Sequence, residues 1–165
     1  MRQLGILAVG LAAAISMAGQ APLGDFQSHP SNSRAAAVSY LFPEQITIVA
    51  GKIASVELHF KVAAGLHINS HTPHEEELIP TTFKLPEASG VRLVKATFPE
   101  GADYSFAINP KEKLSIYSGE FTIHAEVVAA PGEHLVEASL HYQACDSNTC
   151  TPPRTIPVAI DVIAK

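Results

Sequence analysis

From Phe42 onward, apolar and polar residues alternate along this chain with a period of two, and that pattern leaves few folds open to it. Successive side chains of a strand point to opposite faces, whereas an amphipathic helix repeats every 3.6 residues. Val56, Leu58, Phe60 and Val62 therefore point one way, and Glu57, His59 and Lys61 the other. Phe121, Ile123, Ala125 and Val127 repeat the pattern, as do Ala138, Leu140 and Tyr142, and Ile156, Val158, Ile160 and Val162. Turn residues interrupt these runs at Ala50-Gly51, Gly65, Ser89-Gly90, Pro99-Glu100-Gly101, Asn109-Pro110, Ser118-Gly119 and Pro131-Gly132. No stretch carries a convincing helical period. About seven to eight half-buried strands joined by turns predict an all-β domain, an immunoglobulin-like antiparallel β-sandwich. With no Trp and no widely spaced cysteine pair, an antibody-type disulfide between the sheets is excluded.

The N-terminus bears on compartment. Arg2 precedes an uncharged run from Leu4 to Ile15, and Ser16-Met17-Ala18 and Gly19-Gln20-Ala21 both offer the small-x-small pattern of a signal-peptidase site. The apolar run falls short of the roughly 20 residues a membrane-spanning helix needs. Residues 1–21 are expected to be a signal peptide, 22–40 a flexible spacer rich in Pro, Ser and Asn, and 41–165 the folded domain. The mature protein is expected in the periplasm or secreted, and not membrane-spanning once the signal is cleaved.

Charge excludes one class of partner. The chain carries a formal −5, becoming −6 when Arg2 leaves with the leader, and its 11 Lys and Arg residues are scattered. Nucleic acid, which calls for a basic stripe to neutralise phosphates, is not an expected partner. His67, His71 and His74 form H-x3-H-x2-H beside Glu75, Glu76 and Glu77, but this spacing matches no defined zinc framework and reads as a solvated polar loop. His141 lies four residues before Cys145 on an outward strand position, too far along the strand for a His-Cys copper site. No hydrolytic motif stands out, and no metal or cofactor is called for.

The chemistry-bearing feature is the pair of cysteines, the only two in the chain. Cys145 follows a strand ending in Tyr142-Gln143-Ala144, and Cys150 precedes Pro152-Pro153. Between them lie Asp146, Ser147, Asn148 and Thr149, a turn composition that brings the two sulfurs together across a tight hairpin. A staple and a redox pair are both compatible with this placement. Closing so short a loop removes only roughly 2 kcal/mol of unfolded-state entropy, so a purely structural bond gains little. A bond at an exposed turn is, on the other hand, open to an attacking thiolate. Asp146 beside Cys145 disfavours thiolate, and Arg154 is the only nearby cation in sequence. Neither cysteine is thus expected to be a low-pKa nucleophile of thioredoxin type.

The segment Tyr142-Gln143-Ala144-Cys145, the acidic turn, Cys150 and Pro152-Pro153 resembles the active-site hairpin of the DsbD N-terminal domain family. Leu66-His67-Ile68-Asn69-Ser70 followed by Leu78-Ile79-Pro80-Thr81 is similar to a second stretch of that family, and the likeness extends over roughly Phe42 to Ile163. The resemblance implies a domain that takes electrons from a membrane-embedded electron-transfer protein and hands them to oxidised periplasmic thiol proteins. It implies that Cys150 forms the mixed disulfide and Cys145 resolves it. It further implies an aromatic cap over the cysteines, for which Tyr104 or Phe106 lies at the corresponding stage of the chain, with Tyr142 and Asp146 supporting the pair; ordinary core packing is the other reading of both aromatics. Four residues separate the cysteines here, one fewer than in the family's best-known member. Nothing in the sequence reads as the transmembrane or thioredoxin-like parts of that protein, so the electron donor is expected to be separate. The alternative is a non-catalytic secreted binding or structural domain with a stapled hairpin.

Overall fold

The computed structural model of the protein describes residues 36–41, 45–106 and 109–165, and backbone only at Asn109. The expected signal peptide and all but the end of the expected spacer lie outside these residues. The described residues form twelve strands: β1 (Val38–Leu41), β2 (Gln45–Ile48), β3 (Ala54–Val62), β4 (His67–Asn69), β5 (Thr82–Lys84) and β6 (Val91–Thr97), then β7 (Ala102–Phe106), β8 (Asn109–Tyr117), β9 (Glu120–Ala129), β10 (Gly132–Tyr142), β11 (Ala144–Cys145) and β12 (Arg154–Ala164). Five of them are only two to four residues long, which is why the number exceeds the seven or eight runs legible as alternation.

The strands make three four-stranded sheets, ordered β1-β3-β9-β6, β2-β12-β10-β5 and β11-β4-β8-β7. Pairing is antiparallel except between β2 and β12. Alternation does what the sequence predicts. Val56, Leu58, Phe60 and Val62 of β3 and Ile123, Ala125 and Val127 of β9 enter one core with Val136, Ala138 and Leu140 of β10 and Val158, Ile160 and Val162 of β12. The first two sheets are thus the layers of a sandwich closed by apolar side chains. Tyr40, Phe60, Phe121 and Tyr117 run through it as a file of ring contacts with centroids 4.9 to 5.4 Å apart.

Two readings shift. Val38 is 1% exposed and pairs with Val62, so residues 38–40, expected in the spacer, are already strand, with Val38 in the core. Asn109-Pro110, expected as a turn, instead opens β8, with Asn109 opposite Phe106. The remaining turns fall where expected, and Gly51, Gly65, Gly90, Gly119 and Gly132 all adopt the positive φ that glycine tolerates best.

The third sheet positions the site. After Tyr142, opposite Arg154 on β12, the chain passes Gln143, leaves the second sheet and pairs as β11 with β4. One continuous run of chain therefore carries Cys145 off the end of the sandwich and seats it on a different sheet.

Candidate functional site

Cys145 and Cys150 are disulfide-bonded, with Cα atoms 4.0 Å apart, and face each other as an isolated antiparallel bridge. Two backbone hydrogen bonds flank the pair: Asp146 N–H donates to the Thr149 carbonyl at 3.0 Å, and Thr151 N–H to the Ala144 carbonyl at 2.8 Å. With bonds on both sides and none within, the cysteines occupy a non-hydrogen-bonded position of the ladder, where facing side chains come closest. That is the local reason a bridge forms here. Thr151 adds a hydroxyl bond to the Ala144 carbonyl at 3.0 Å, and Gln143 Nε2 donates to the Thr151 carbonyl at 3.2 Å.

Asp146 holds the turn. Its Oδ1 accepts the backbone N–H of Asn148 at 2.7 Å and of Thr149 at 2.9 Å. This is an Asx turn, the conformation for which Asp is suited at such a corner. Tyr142, at the end of β10, is buried in the sandwich core, its hydroxyl meets the Val38 backbone, and burial pushes its phenol above the ordinary range.

The two cysteines differ in exposure. Cys145 is 2% exposed, whereas Cys150 is exposed, as are Ser147, Asn148 and Thr149. The buried member is paired on its other side. In the β4–β11 ladder Cys145 lies directly opposite His67, so Cys150, Cys145 and His67 form a row across three neighbouring stretches of chain. His67 is 5% exposed, and its Nε2 has no hydrogen-bond partner. Burial pushes its imidazole below the ordinary value, and the Asp146 carboxylate pulls in the opposite direction.

Tyr104 and Phe106, the expected cap residues, converge on this histidine. Their rings meet edge to face at 5.3 Å, and lie 4.6 Å and 6.1 Å from the His67 ring. Both are half-buried and are not among the side chains that fill or pack against the sandwich core. Tyr104 and Phe106 thus lie against His67, and Asp146 lies in the hairpin turn, whereas Tyr142 packs into the sandwich core.

The other histidines of the H-x3-H-x2-H segment go elsewhere. His71 stacks on Phe98 at 3.9 Å and bonds the Thr81 carbonyl through Nδ1, while His74 Nδ1 bonds the Lys113 carbonyl. Among the described residues no group of three or more His, Cys, Asp or Glu is placed to hold a metal ion. The segments 66–70 and 78–81 do meet: Asn69 Nδ2 donates to the Ile79 carbonyl at 3.0 Å, and Thr81 Oγ1 to the Asn69 carbonyl at 2.6 Å. They brace β4, and through it His67. His67 is the site residue that sequence reasoning passed over. Its spacing pointed to a polar loop, and its burial depends on a cross-strand register that no local pattern reports.

No curated protein matches the sequence. Among solved structures the chain is similar to the reduced DsbD N-terminal domain of Neisseria meningitidis, with 18% identity, 68% of this chain and 80% of that one covered, and a TM-score of 0.46. It is similar to the complex between the DsbD N-terminal and PilB N-terminal domains of the same organism, with 18% identity, 64% and 73% coverage and a TM-score of 0.44. It is also similar to the N-terminal periplasmic domain of ScsB from Proteus mirabilis, with 13% identity, 75% of this chain and 44% of that one covered, and a TM-score of 0.49. The family model described as the N-terminal part of the thiol:disulfide interchange protein DsbD matches residues 37–161, from just before β1 into β12 and including both cysteines. The chain therefore belongs to the DsbD N-terminal domain family.

Proposed function

We propose that the chain is an exported thiol-disulfide exchange module, passing electrons from a membrane-embedded electron-transfer protein to oxidised periplasmic thiol proteins through Cys145 and Cys150. The observation that carries this reading is the unequal exposure of the two bonded cysteine residues, Cys150 exposed and Cys145 2% exposed, in a member of this family. Attack on a disulfide needs a sulfur that a thiolate can approach in line, and a leaving sulfur that the protein retains. Cys150 offers the first and Cys145 the second.

In the loading half, a donor thiolate attacks Cys150 Sγ, the S–S bond breaks, and Cys145 leaves as a thiolate. The donor's second thiolate then attacks its own sulfur in the mixed disulfide, freeing Cys150. The domain is now a dithiol and the donor a disulfide, with two electrons transferred. In the delivery half, Cys150 thiolate attacks the acceptor disulfide. Cys145 thiolate then attacks Cys150 Sγ, re-forming the intramolecular bond and releasing the acceptor as a dithiol. Residues 1–21 supply export, and the spacer before β1 separates the leader from the domain. Among the described residues no helix is long and apolar enough to cross a membrane.

The test is a reduction potential together with a trapping experiment. A potential above about −300 mV marks a bond that exchange partners can open, and a lower one fits a staple. Cys145→Ser should accumulate mixed disulfides through Cys150, and Cys150→Ser should form none. A pair that stays oxidised under physiological dithiol donors refutes the proposal.

A further inference from the structure

We propose that His67 is the proton acceptor that activates Cys145 when it resolves the mixed disulfide. The inference deepens the exchange reading and rests on it. Three observations converge. Cys145 and His67 are directly opposed in the β4–β11 ladder, and directly opposed residues of an antiparallel pair project from the same face with their Cβ atoms about 5 Å apart. The His67 side chain is buried at 5% exposure, and its Nε2 lacks any hydrogen-bond partner. Burying an unsatisfied polar nitrogen is unfavourable and calls for a reason. The disulfide supplies one, because in the oxidised protein Cys145 carries no proton and the nitrogen has nothing to accept.

The chemistry needs such a group. Once Cys150 is bonded to an acceptor, Cys145 must attack as a thiolate, yet it is buried and no cation lies in the turn to stabilise its charge. In the step proposed here, Cys145 Sγ–H gives its proton to His67 Nε2, in the tautomer that carries hydrogen on Nδ1. The thiolate attacks Cys150 Sγ, the bond from Cys150 to the acceptor sulfur breaks, and the acceptor leaves as a thiolate that takes up a proton. The imidazolium returns its own proton to solvent. Cys145 and Cys150 are oxidised and the acceptor is reduced by two electrons, so the step balances.

The surroundings suit a base that is neutral at rest. From the hairpin, Cys145 and the Asp146 carboxylate face His67. From β7 come the Tyr104 and Phe106 rings, and from β8 Tyr117 lies opposite the adjacent Ile68, its hydroxyl already engaged with the Pro99 carbonyl and the His71 N–H. Burial holds the imidazole in the form that can accept a proton, while Asp146 favours the imidazolium once it forms. The aromatic pair keeps water from doing the same work.

Reduced full-length protein mixed with 4,4′-dithiodipyridine releases one thiopyridone when Cys150 attacks and a second when Cys145 resolves. Stopped-flow absorbance from pH 5 to 9 therefore reads the two steps separately. The second release should slow by about tenfold relative to the first at pH 7 in His67→Gln. Its pH midpoint should move up toward the ordinary thiol range, near 8.5. A second readout uses the folded native histidine: its ring resonance in the reduced protein should titrate differently when Cys145 is replaced by Ser. An unchanged second-phase profile in His67→Gln, or the same His67 titration with and without the Cys145 thiol, overturns the inference while leaving exchange intact. If the reduced wild-type protein shows no second release at any pH, exchange through the pair fails and His67 falls with it.

Discussion

Replacing Asp146 with Ala should weaken the reduced domain more than the oxidised one, and the asymmetry can be estimated. The carboxylate accepts two backbone N–H groups, from Asn148 at 2.7 Å and Thr149 at 2.9 Å. A hydrogen bond to a charged group contributes about 1.5–3 kcal/mol when sheltered, but both donors lie in an exposed turn where water competes. About 1 kcal/mol for each bond is the appropriate discount, so roughly 2 kcal/mol for the pair in the dithiol form. In the oxidised form the covalent bond already keeps residues 145 and 150 together in the folded and unfolded chain alike, and a loss of about 1 kcal/mol is expected. The remaining difference of roughly 1 kcal/mol disfavours reduction, and should move the potential more negative by about 20 mV. Urea unfolding of Asp146→Ala in both redox states gives the two free energies, and equilibration with a glutathione buffer gives the potential. Asp146→Asn, whose amide oxygen still accepts but without charge, should recover part of each effect. Equal losses in the two states, or a potential that moves upward, would refute the view that this carboxylate holds the cysteines in register.

Other consequences are accessible to the same methods. Gly101→Ala would drive a Cβ into Ser115 Oγ and the Ser70 side chain, two buried serines joined by a 2.8 Å hydrogen bond, and should cost about 1–3 kcal/mol in urea unfolding. The His67 imidazole is lowered in the folded oxidised protein, so the unfolded chain binds its proton first as pH falls. His67 thus contributes stability in full above about pH 6.5. That contribution declines as pH drops from there toward the folded value, and His67→Gln should flatten this part of a stability-against-pH curve. A slope unchanged by the substitution would show that the ring does not resist protonation. Tyr104→Ala removes the ring packed 4.6 Å from His67 and should cost roughly 1 kcal/mol while speeding reduction of the disulfide by dithiothreitol. An unaltered rate would place the ring outside the approach to the sulfurs.

How far such a site is legible in sequence depends on the range of the interactions that build it. The β3 run from Val56 to Val62 is readable because one face meets the core and the other meets water, so burial is written into neighbouring residues. The hairpin is readable for a similar reason: Cys145, Asp146 and Cys150 lie within six residues, and the turn that joins them is local. β4 is different. His67, Ile68 and Asn69 are buried one after another, since this short strand lies between β11 and β8 in a sheet that is covered on both sides at this point. Alternation vanishes there, and a polar stretch with three histidines resembles a loop. Val38 is missed from the opposite direction, because a four-residue edge strand following a run of alanines is too short to show a period, and only its pairing with Val62 makes it core. His67 and Cys145 are brought together by register, 78 positions apart, and register is settled by the whole of the third sheet rather than by either residue. The bonded sulfurs could be found by reading along the chain, whereas the group proposed to take the proton of Cys145 could be found only by reading across it.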